Sequence, residues 1–461
     1  MQEKIATNKN FPSFTPDMSN QFGPDIDVKY WPERDPVTGV LTREGLLNDK
    51  TLYEGRNILS IVQVSNFDNV LYALGREFSD RLIVSFLTQA CQIMPPDTLF
   101  CRYSSDTIII VPPGIYDMRD CDIHNELLLK LFYNDADNVK INHNYTAFNG
   151  NIGTINRLIH QSSVLDTIQK AGVALSFSKL RAGTNLAKFN EHMLEKELRN
   201  IQLHEGLNKA IAKEEFSLVI QPIVELKNPE ISNEGECLIR WSHETLGAIS
   251  PEEFVPLAEE TGFIIHLGKW VIEHACLELR NLIHQGLSPD FKLHINVSAI
   301  QLIQSSFCRH LLGAIKKNGL VNENICIEIT ESQLLQDIES ALTTLHYLRQ
   351  HGITVALDDF GTGFSSLSYL HKLPFDCIKI DRNFIKDMLN DRNNMSVIES
   401  VLFLAKRFEV VVVAEGIEDL VTGKALQDLR CQKAQGYFYC KPTPFKELAV
   451  KNGKIILPAP T

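Results

Sequence analysis

Eight short apolar segments, separated by longer helical stretches, constrain the fold more than any other feature of this sequence. The segments are LVIQPIV (218–224), ECLIR (236–240), LHINV (293–297), ICIEIT (325–330), TVALD (354–358), CIKI (377–380), VVVVA (410–414) and QGYFY (435–439). Strands that are buried on both faces have near-continuous apolar sequences, and eight of them with helical crossovers are typical of a closed barrel. The sequence therefore predicts a TIM-like (β/α)₈ barrel.

The composition excludes several classes of protein. The chain has 461 residues, of which 44% are hydrophobic and 22% are charged, so it is neither a disordered chain nor a membrane bundle. The formal charge of −12 argues against electrostatic binding of polymeric nucleic acid. No apolar stretch approaches the roughly 20 residues of a membrane-spanning helix. The 10 cysteines include no CxxC pair and are predicted to be reduced. We therefore expect a cytoplasmic protein with no membrane segment in this chain.

The residues before the barrel follow other patterns. Two β-branched runs, NILSIVQV (57–64) and DTIIIVPP (106–113), flank a helically spaced segment at 79–94, which predicts a smaller α/β domain. A helix is predicted over 187–213, with Leu194, Leu198, Ile201, Leu207 and Ile211 near one face. It either packs against its own domains or serves as a signalling or dimer helix. The predicted organisation is a flexible tail (1–28), an α/β domain (29–190), a linker helix (191–213), the barrel (214–450) and a C-terminal tail (451–461).

Polar residues lie in or near the ends of most barrel segments, where barrel enzymes carry their chemistry. They are Glu236, Asn296, Glu328, Glu331, Asp358, Asp359, Lys379, Asp381, Glu415 and Gln435. Converging carboxylates repel one another unless cations neutralise them, so this set predicts a bound metal.

The ligand types indicate which metal and which reaction to expect. Carboxylates and an amide, without His or Cys, are hard oxygen donors suited to Mg²⁺, Mn²⁺ or Ca²⁺ rather than to structural zinc. The adjacent pair Asp358 and Asp359 can serve two ions, the usual arrangement for phosphodiester hydrolysis. Enolase-type and aldolase-type barrels also use acidic clusters and a lysine, so the pattern alone leaves the reaction class open.

The second half of the sequence resembles the EAL family of cyclic di-GMP phosphodiesterases. The signature triplet is Glu236-Cys237-Leu238, with Cys237 where the family usually has Ala. The other motifs are QPIV from 221, SPEEFVPLAEETGFI from 250, NVS from 296, EITES from 328, DDFGTGFSSLSYL from 358, KID from 379, AEGIE from 414 and QGY from 435. The resemblance implies an α/β protein whose barrel hydrolyses cyclic di-GMP to linear pGpG with Mg²⁺ or Mn²⁺, two ions per site. The alternative is a receptor that binds cyclic di-GMP without turnover and signals to a partner protein.

The resemblance also implies a role for each site residue. Glu236, Asn296, Glu328 and Asp358 would hold the first metal, and Asp358 and Asp359 would share the second. Glu415 would be a second-metal ligand or a general base, and Lys379 would orient water or phosphate beside the metal-site residue Asp381. Arg240, Gln221 and Gln435 are assigned to substrate binding. Glu331 would anchor the loop 360–366, which links the site to a homodimer interface of the EAL domain.

The first half resembles a GGDEF domain, which in active members makes cyclic di-GMP from GTP. DPVTGVLTREGL (35–46) is similar to its opening turn and helix, and ALSFSKLRAGTN (174–185) to its closing helix. The signature position is Ser104-Ser105-Asp106-Thr107-Ile108, without the glycines and the metal glutamate, and Gln63 replaces the first metal aspartate. We therefore expect a degenerate GGDEF-like domain without cyclase activity, which serves as a platform for a regulatory nucleotide or protein or as a structural partner.

Overall fold

The computed structural model describes residues 33–133, 139–141, 144–146, 148–179, 185–330, 338–361 and 372–457. The chain divides into two compact units, Met1–Arg199 and Asn200–Thr461. No helix in the described ranges combines the length and the apolar character that crossing a membrane requires.

The first unit is an α/β domain built on one mixed sheet. Its strands are β1 (Ile58–Val64), β2 (Leu99–Arg102), β3 (Thr107–Val111), β4 (Val139–Ile141), β5 (Asn144–Thr146), β6 (Gly150–Asn156) and β7 (Leu186–Lys188). Its helices are α1 (Arg43–Asn48), α2 (Phe67–Leu74), α3 (Arg76–Ile93), α4 (Met118–Tyr133) and α5 (Val164–Lys179). The sheet order is β2-β3-β1-β6-β7, and β4 pairs separately with β5. The predicted strands at 57–64 and 106–113 are β1 and β3, and the predicted helix at 79–94 is α3.

The second unit contains a closed barrel. Its strands are β8 (Phe216–Glu225), β9 (Ile231–Ser232), β10 (Glu234–His243), β11 (Gly247–Ile249), β12 (Lys292–Asn296), β13 (Ile325–Thr330), β14 (Thr354–Phe360), β15 (Cys377–Ile380), β16 (Val411–Ala414), β17 (Lys433–Ala434), β18 (Thr443–Pro444), β19 (Ala449–Lys451) and β20 (Lys454–Ile456). The ring runs β10-β12-β13-β14-β15-β16-β17-β8, and pairing of β8 with β10 closes it. The predicted eight-stranded barrel is confirmed.

Helices cover the outside of this barrel. The helices that follow α5 in the chain are α6 (Glu191–Ala210), α7 (Pro251–Glu260), α8 (Ile264–His284), α9 (Ala299–Leu302), α10 (Phe307–Lys317), α11 (Ile338–Gln350), α12 (Arg382–Lys386), α13 (Arg392–Phe408) and α14 (Leu420–Asp428). Apolar residues of the strands and of the helices from α8 onward form one large buried cluster, which includes Leu279, Leu311, Leu345 and Val401. The barrel strands are therefore buried on both faces, as the apolar segments predict.

The first barrel strand departs from the parallel arrangement of a standard (β/α)₈ barrel. Strand β8 is antiparallel to all three strands that pair with it, β10, β17 and β18. Residues 226–233 join β8 to β10 and contain only the short strand β9. A parallel connection needs a crossover of about a dozen residues or more, so this short link permits only an antiparallel pair.

The predicted eighth strand at 435–439 is wrong by a few residues. The strand is Lys433–Ala434, and the chain turns at Gly436, whose carbonyl accepts hydrogen bonds from the amides of Tyr439 and Cys440. A Cβ atom at Gly436 would lie 2.1 Å from the carbonyl oxygen of Ile417. This close approach of two backbone segments requires glycine and replaces the strand with a turn.

The predicted linker helix is shorter than expected. Helix α6 covers Glu191–Ala210, because residues 186–188 pair with β6 as strand β7. Leu203 and Leu207 are buried in a cluster with Trp241 and Phe254 of the second unit. Leu198 and Ile201 of the predicted apolar face are instead more than half exposed. The second half of α6 thus packs on the barrel unit, as one of the two alternatives predicts.

Candidate active site in the barrel

Acidic side chains of the barrel strands converge on one buried amine. Lys379, on β15, is 1% exposed, and its Nζ atom lies 2.7 Å from Glu415 Oε1 and 2.8 Å from Glu328 Oε2. Glu236 Oε2 and Asp358 Oδ1 are each 3.3 Å from the same nitrogen. The structure thus brings together residues of four barrel strands and Glu415, which directly follows β16, as the sequence predicts for one edge of the barrel. One positive charge faces four carboxylates, which leaves the cluster with excess negative charge.

A bulge in β14 turns two adjacent carboxylates to the same side. Successive residues of a regular strand point to opposite faces. In β14 the pairing with β15 shifts between Leu357 and Phe360, and Asp359 adopts a left-handed backbone with φ of 52°. Oxygen atoms of Asp358, Asp359 and Glu415 consequently lie within 4.8 Å of one another. Among the described residues, this is the group of acidic side chains whose spacing suits a metal ion.

Amide side chains hold Glu236 in place. Asn296 Nδ2 donates to Glu236 Oε1 at 2.7 Å, and Gln435 Nε2 donates to Glu236 Oε2 at 2.8 Å. Gln435 Nε2 also donates to Gln221 Oε1, and Gln221 Nε2 donates to the carbonyl of Cys440. Within the described part of the chain, Gln435 Oε1 is buried and has no hydrogen-bond partner. Gln221 and Gln435 therefore lie behind Glu236 and hold its carboxylate in place. The unpartnered Oε1 atom of Gln435 could accept a hydrogen bond from a further donor or contact a ligand.

The charges of the cluster shift one another's protonation. Burial, together with the neighbouring carboxylates of Asp358 and Asp381, raises the pKa of Asp359 to about 6. Burial and the charge of Glu236 raise the pKa of Glu328. Burial would lower the pKa of Lys379, but the surrounding carboxylates outweigh it and raise that pKa well above its ordinary value. The carboxylates that resist ionisation repel one another despite the ammonium of Lys379. An added cation would reduce this repulsion and favour their ionised forms.

Two further predicted residues lie at the edge of this cluster. Asp381 Oδ1 accepts a hydrogen bond from the Asn383 amide at 2.9 Å and so caps α12. Arg240, within β10, is partly buried, and its NH1 group donates to the carbonyl of Ile239 at 2.8 Å. Burial lowers the pKa of Arg240, and the nearby Tyr437 and Glu236 oppose that shift. Glu331 and residues 362–371, which include most of the predicted loop, lie outside the described residues.

One residue of the cluster is absent from the sequence predictions. His294 precedes Asn296 by two positions on β12 and is 2% exposed. Its Nδ1 atom lies 2.8 Å from Glu328 Oε1, and its Nε2 atom lies 3.5 Å from Glu234 Oε2. The two-residue period of the strand is the signal that could have found it, because Asn296 and His294 occupy the same face.

The donor set fits a divalent cation. Asp358, Asp359 and Glu415 offer closely spaced carboxylate oxygens, and the amide nitrogen of Asn296 is engaged by Glu236, which leaves the amide oxygen for a ligand. These are hard oxygen donors, the type that Mg²⁺, Mn²⁺ and Ca²⁺ prefer. The raised pKa of Asp359 supports the same interpretation, because a cation there would stabilise the ionised carboxylate.

In the first unit, the segment 104–108, where the resemblance places the GGDEF signature, contains a carboxylate that is hydrogen-bonded within the protein. Asp106, in the turn between β2 and β3, accepts hydrogen bonds from Gln63 Nε2 at 2.6 Å and from Ser104 Oγ at 2.8 Å. Thr107 Oγ1 donates to the same carboxylate at 2.9 Å. These bonds outweigh burial and lower the pKa of Asp106. The side chains of Gln63, Ser104 and Thr107 therefore all bond to Asp106 at these strand ends.

Comparison with known families and proteins agrees with both halves of this description. The sequence profile of the EAL domain matches residues 204–442, and that of the diguanylate cyclase GGDEF domain matches residues 34–185. The uncharacterized protein Rv1354c of Mycobacterium tuberculosis is 31% identical over 424 residues, which are 90% of this chain and 67% of that protein. The cyclic di-GMP phosphodiesterase NbdA of Pseudomonas aeruginosa is 27% identical over 387 residues, 84% of this chain and 49% of NbdA.

A solved structure shares the barrel. The P. aeruginosa MucR phosphodiesterase in its c-di-GMP complex superposes with a TM-score of 0.51 and 33% sequence identity. The match covers 53% of this chain and 99% of that one. The present chain thus spans about two thirds of the mycobacterial relative and about half of NbdA.

Proposed function

Because the chain belongs to the EAL domain family and carries a GGDEF domain in front of its EAL domain, we propose that it hydrolyses cyclic di-GMP to linear pGpG. The observation that carries the proposal is the convergence of Asp358, Asp359 and Glu415, with oxygens within 4.8 Å of one another, beside Lys379. The similar protein NbdA is named a cyclic di-GMP phosphodiesterase and MucR a bifunctional diguanylate cyclase/cyclic di-GMP phosphodiesterase, which supports the substrate class.

We propose Mg²⁺ or Mn²⁺ as the cofactor, with two ions per site. Glu236, Asn296, Glu328 and Asp358 would hold one ion, and Asp358, Asp359 and Asp381 would hold the other, with Glu415 as a further ligand or as the base. When bound, the ions supply Lewis-acid activation of water and of the phosphodiester.

The protein groups have their own tasks in this proposal. Lys379 holds the carboxylates of Glu328 and Glu415 in place through contacts of 2.8 and 2.7 Å. Its charge also favours the negative phosphate. Glu415 would accept the proton of the attacking water at its carboxylate, whose pKa burial raises well above the ordinary value, opposed by Lys379. Arg240 would contact a substrate phosphate, and Gln221 and Gln435 would border the bound dinucleotide.

We further propose that the GGDEF-like domain is catalytically inactive. Asp106 is already bonded to Gln63, Ser104 and Thr107, so its oxygens are engaged by the protein. Replacement of the signature glycines by Ser104 and Ser105 removes the backbone freedom that close approach to phosphate needs. The domain would then serve as a platform for a regulatory nucleotide or protein, or as a structural partner.

The remaining parts of the proposal concern organisation. We assign residues 29–190 to the GGDEF-like domain, 191–213 to the linker and 214–450 to the EAL domain. We propose a homodimer through the EAL domain, with Glu331 anchoring the loop 360–366, and a cytoplasmic location.

Incubation of the purified chain with cyclic di-GMP and Mg²⁺ or Mn²⁺, followed by chromatography, tests the proposal. Linear pGpG is the expected product, and EDTA should stop its formation. Glu236→Ala and Asp358→Ala should each lose most of the activity, because each removes a metal ligand. Binding of cyclic di-GMP without any pGpG would instead support the receptor alternative.

A further inference from the structure

The barrel interior contains a histidine that none of the proposed catalytic roles uses. His294 lies on β12, where its register partners are Glu236 on β10 and Cys326 on β13. Its side chain is enclosed, and its two ring nitrogens face two different carboxylates. Burying an imidazole costs free energy unless polar partners compensate. The position of His294 between two acids therefore suggests a specific role for its contacts.

The contact with Glu328 determines how that carboxylate is held. Glu328 Oε1 lies 2.8 Å from His294 Nδ1, and Glu328 Oε2 lies 2.8 Å from Lys379 Nζ. Each oxygen of this fully enclosed carboxylate therefore has its own donor, and the two donors lie on different strands. Removal of His294 would leave Oε1 without a donor, and the carboxylate could rotate about the remaining bond to Lys379.

The other side of the ring faces a second carboxylate without a hydrogen bond to it. His294 Nε2 lies 3.5 Å from Glu234 Oε2 and, among the described residues, is buried with no hydrogen-bond partner. Glu234 Oε1 lies 2.6 Å from Lys433 Nζ, so Glu234 has a partner of its own. The contact of Nδ1 with Glu328 is therefore the hydrogen bond that orients the ring.

From these contacts we infer that His294 is a positioning residue, which fixes the Glu328 carboxylate in the orientation that holds the divalent cation. The inference rests on the proposed function, because it concerns a carboxylate of that metal site. Groups that hydrogen-bond to metal ligands typically change metal affinity by about 10- to 100-fold when they are removed. His294 acts through Glu328 and does not itself touch the reacting atoms.

Three substitutions distinguish a role of His294 in orienting the Glu328 carboxylate from a role in packing the barrel interior. His294→Asn keeps a donor near the place of Nδ1 and should preserve the bond to Glu328. His294→Gln puts its amide near the place of Nε2, toward Glu234, and His294→Leu removes both contacts. Val413→Ala is the matched control, because it changes a buried barrel residue with no polar contact to Glu328.

The primary measurement is Mn²⁺ binding to the full chain without cyclic di-GMP, by calorimetry or by electron paramagnetic resonance of free Mn²⁺. We expect His294→Leu and His294→Gln to weaken Mn²⁺ binding about 10- to 100-fold, and His294→Asn to stay within about threefold of the original. Val413→Ala should lower the melting temperature without weakening Mn²⁺ binding. In turnover assays, the Mn²⁺ concentration for half-maximal rate should rise while KM for cyclic di-GMP changes little.

The outcomes distinguish this inference from the function on which it rests. Unchanged Mn²⁺ affinity in His294→Leu and His294→Gln would overturn the positioning role, even if the original chain hydrolyses cyclic di-GMP. If His294→Leu does not fold, equal affinities of His294→Gln and His294→Asn would overturn it. If the unsubstituted chain binds Mn²⁺ but does not hydrolyse cyclic di-GMP, the proposed function is wrong. The Mn²⁺ affinities of the His294 variants would still decide whether His294 is a positioning residue. An original chain that binds no Mn²⁺ would overturn both.

Discussion

Lys379 Nζ lies 2.7 Å from Glu415 Oε1 in the interior of the barrel, where the lysine side chain is 1% exposed. The same nitrogen also contacts Glu236, Glu328 and Asp358. Lys379 therefore neutralises part of a cluster for which we propose metal ions, and the stability of the metal-free protein should depend on this lysine.

Lys379→Met should destabilise the metal-free barrel by about 3–5 kcal/mol, because removal of one partner leaves buried carboxylates unpaired. Added Mn²⁺ should restore a larger share of stability in this variant than in the original chain, since the cation replaces the lost charge. Urea unfolding with EDTA and with Mn²⁺ measures both effects. Lys451→Met, on an exposed strand position, is the control and should change neither. Equal stabilities for Lys379→Met and the original chain would contradict the central role of Lys379.

Asp359→Asn should reduce hydrolysis of cyclic di-GMP about a hundredfold or more, because it removes a carboxylate from the group formed with Asp358 and Glu415. Chromatography of pGpG at saturating Mn²⁺ measures the rate. Asp428→Asn, at the exposed end of α14, should retain normal activity. A similar rate for both variants would remove Asp359 from the metal site.

The GGDEF-like domain should make no cyclic di-GMP from GTP. Asp106 already accepts hydrogen bonds from Gln63, Ser104 and Thr107, so the chain lacks the oxygens and the open backbone that a metal–GTP complex needs. The assay uses labelled GTP in a Glu236→Ala background, so that any product accumulates, with an active cyclase assayed in parallel. Labelled cyclic di-GMP from this variant would show that the domain is active.

The stability of the first unit should fall in mild acid because of His124 on α4. This residue is buried with its Nε2 atom 3.2 Å from Ser60 Oγ, and burial lowers its pKa to about 4. The unfolded chain, with an ordinary histidine pKa near 6.5, binds the proton more readily, so stability is lost as pH falls from about 6.5 toward 4. The full loss from this residue is about 3 kcal/mol.

Scanning calorimetry of the full chain between pH 7 and pH 4 measures that loss. His124→Gln keeps a polar group toward Ser60 but has no proton to gain, so its unfolding temperature should fall less steeply with acid. Parallel pH curves for the original chain and for His124→Gln would mean that other groups cause the acid sensitivity.

Specific activity should fall on dilution if the EAL domain acts as a homodimer. We propose that the loop 360–366 links the dimer interface to Asp358 and Asp359, so loss of the dimer would displace these residues slightly. Such displacements would change the geometry of the metal site, which catalysis requires to be held closely. Glu331→Ala should lose most activity, because we propose that Glu331 tethers the loop to the site. Activity across a dilution series, together with light scattering, tests this prediction. A monomer whose specific activity is independent of concentration would rule it out.

Much of the site could be predicted from local sequence patterns. The near-continuous apolar runs identify the barrel strands, and residues such as Glu236, Glu328 and Lys379 lie in those strands. Barrel geometry then requires their side chains to share one end of the barrel. His294 shares the strand face of Asn296, but its partners Glu234 and Glu328 lie on other strands, and nothing near it in the sequence indicates them.

The sequence by itself determined the approximate positions of seven of the eight barrel strands and the order of the domains, because these depend on residues close together in the chain. Tertiary structure decided that β8 is antiparallel, that Gly436 ends the last strand early and that Asp358 and Asp359 face the same side through a bulge. It also decided that Lys379 meets four carboxylates and that His294 reaches Glu328. These features depend on contacts between residues far apart in the chain, which form only when the barrel closes.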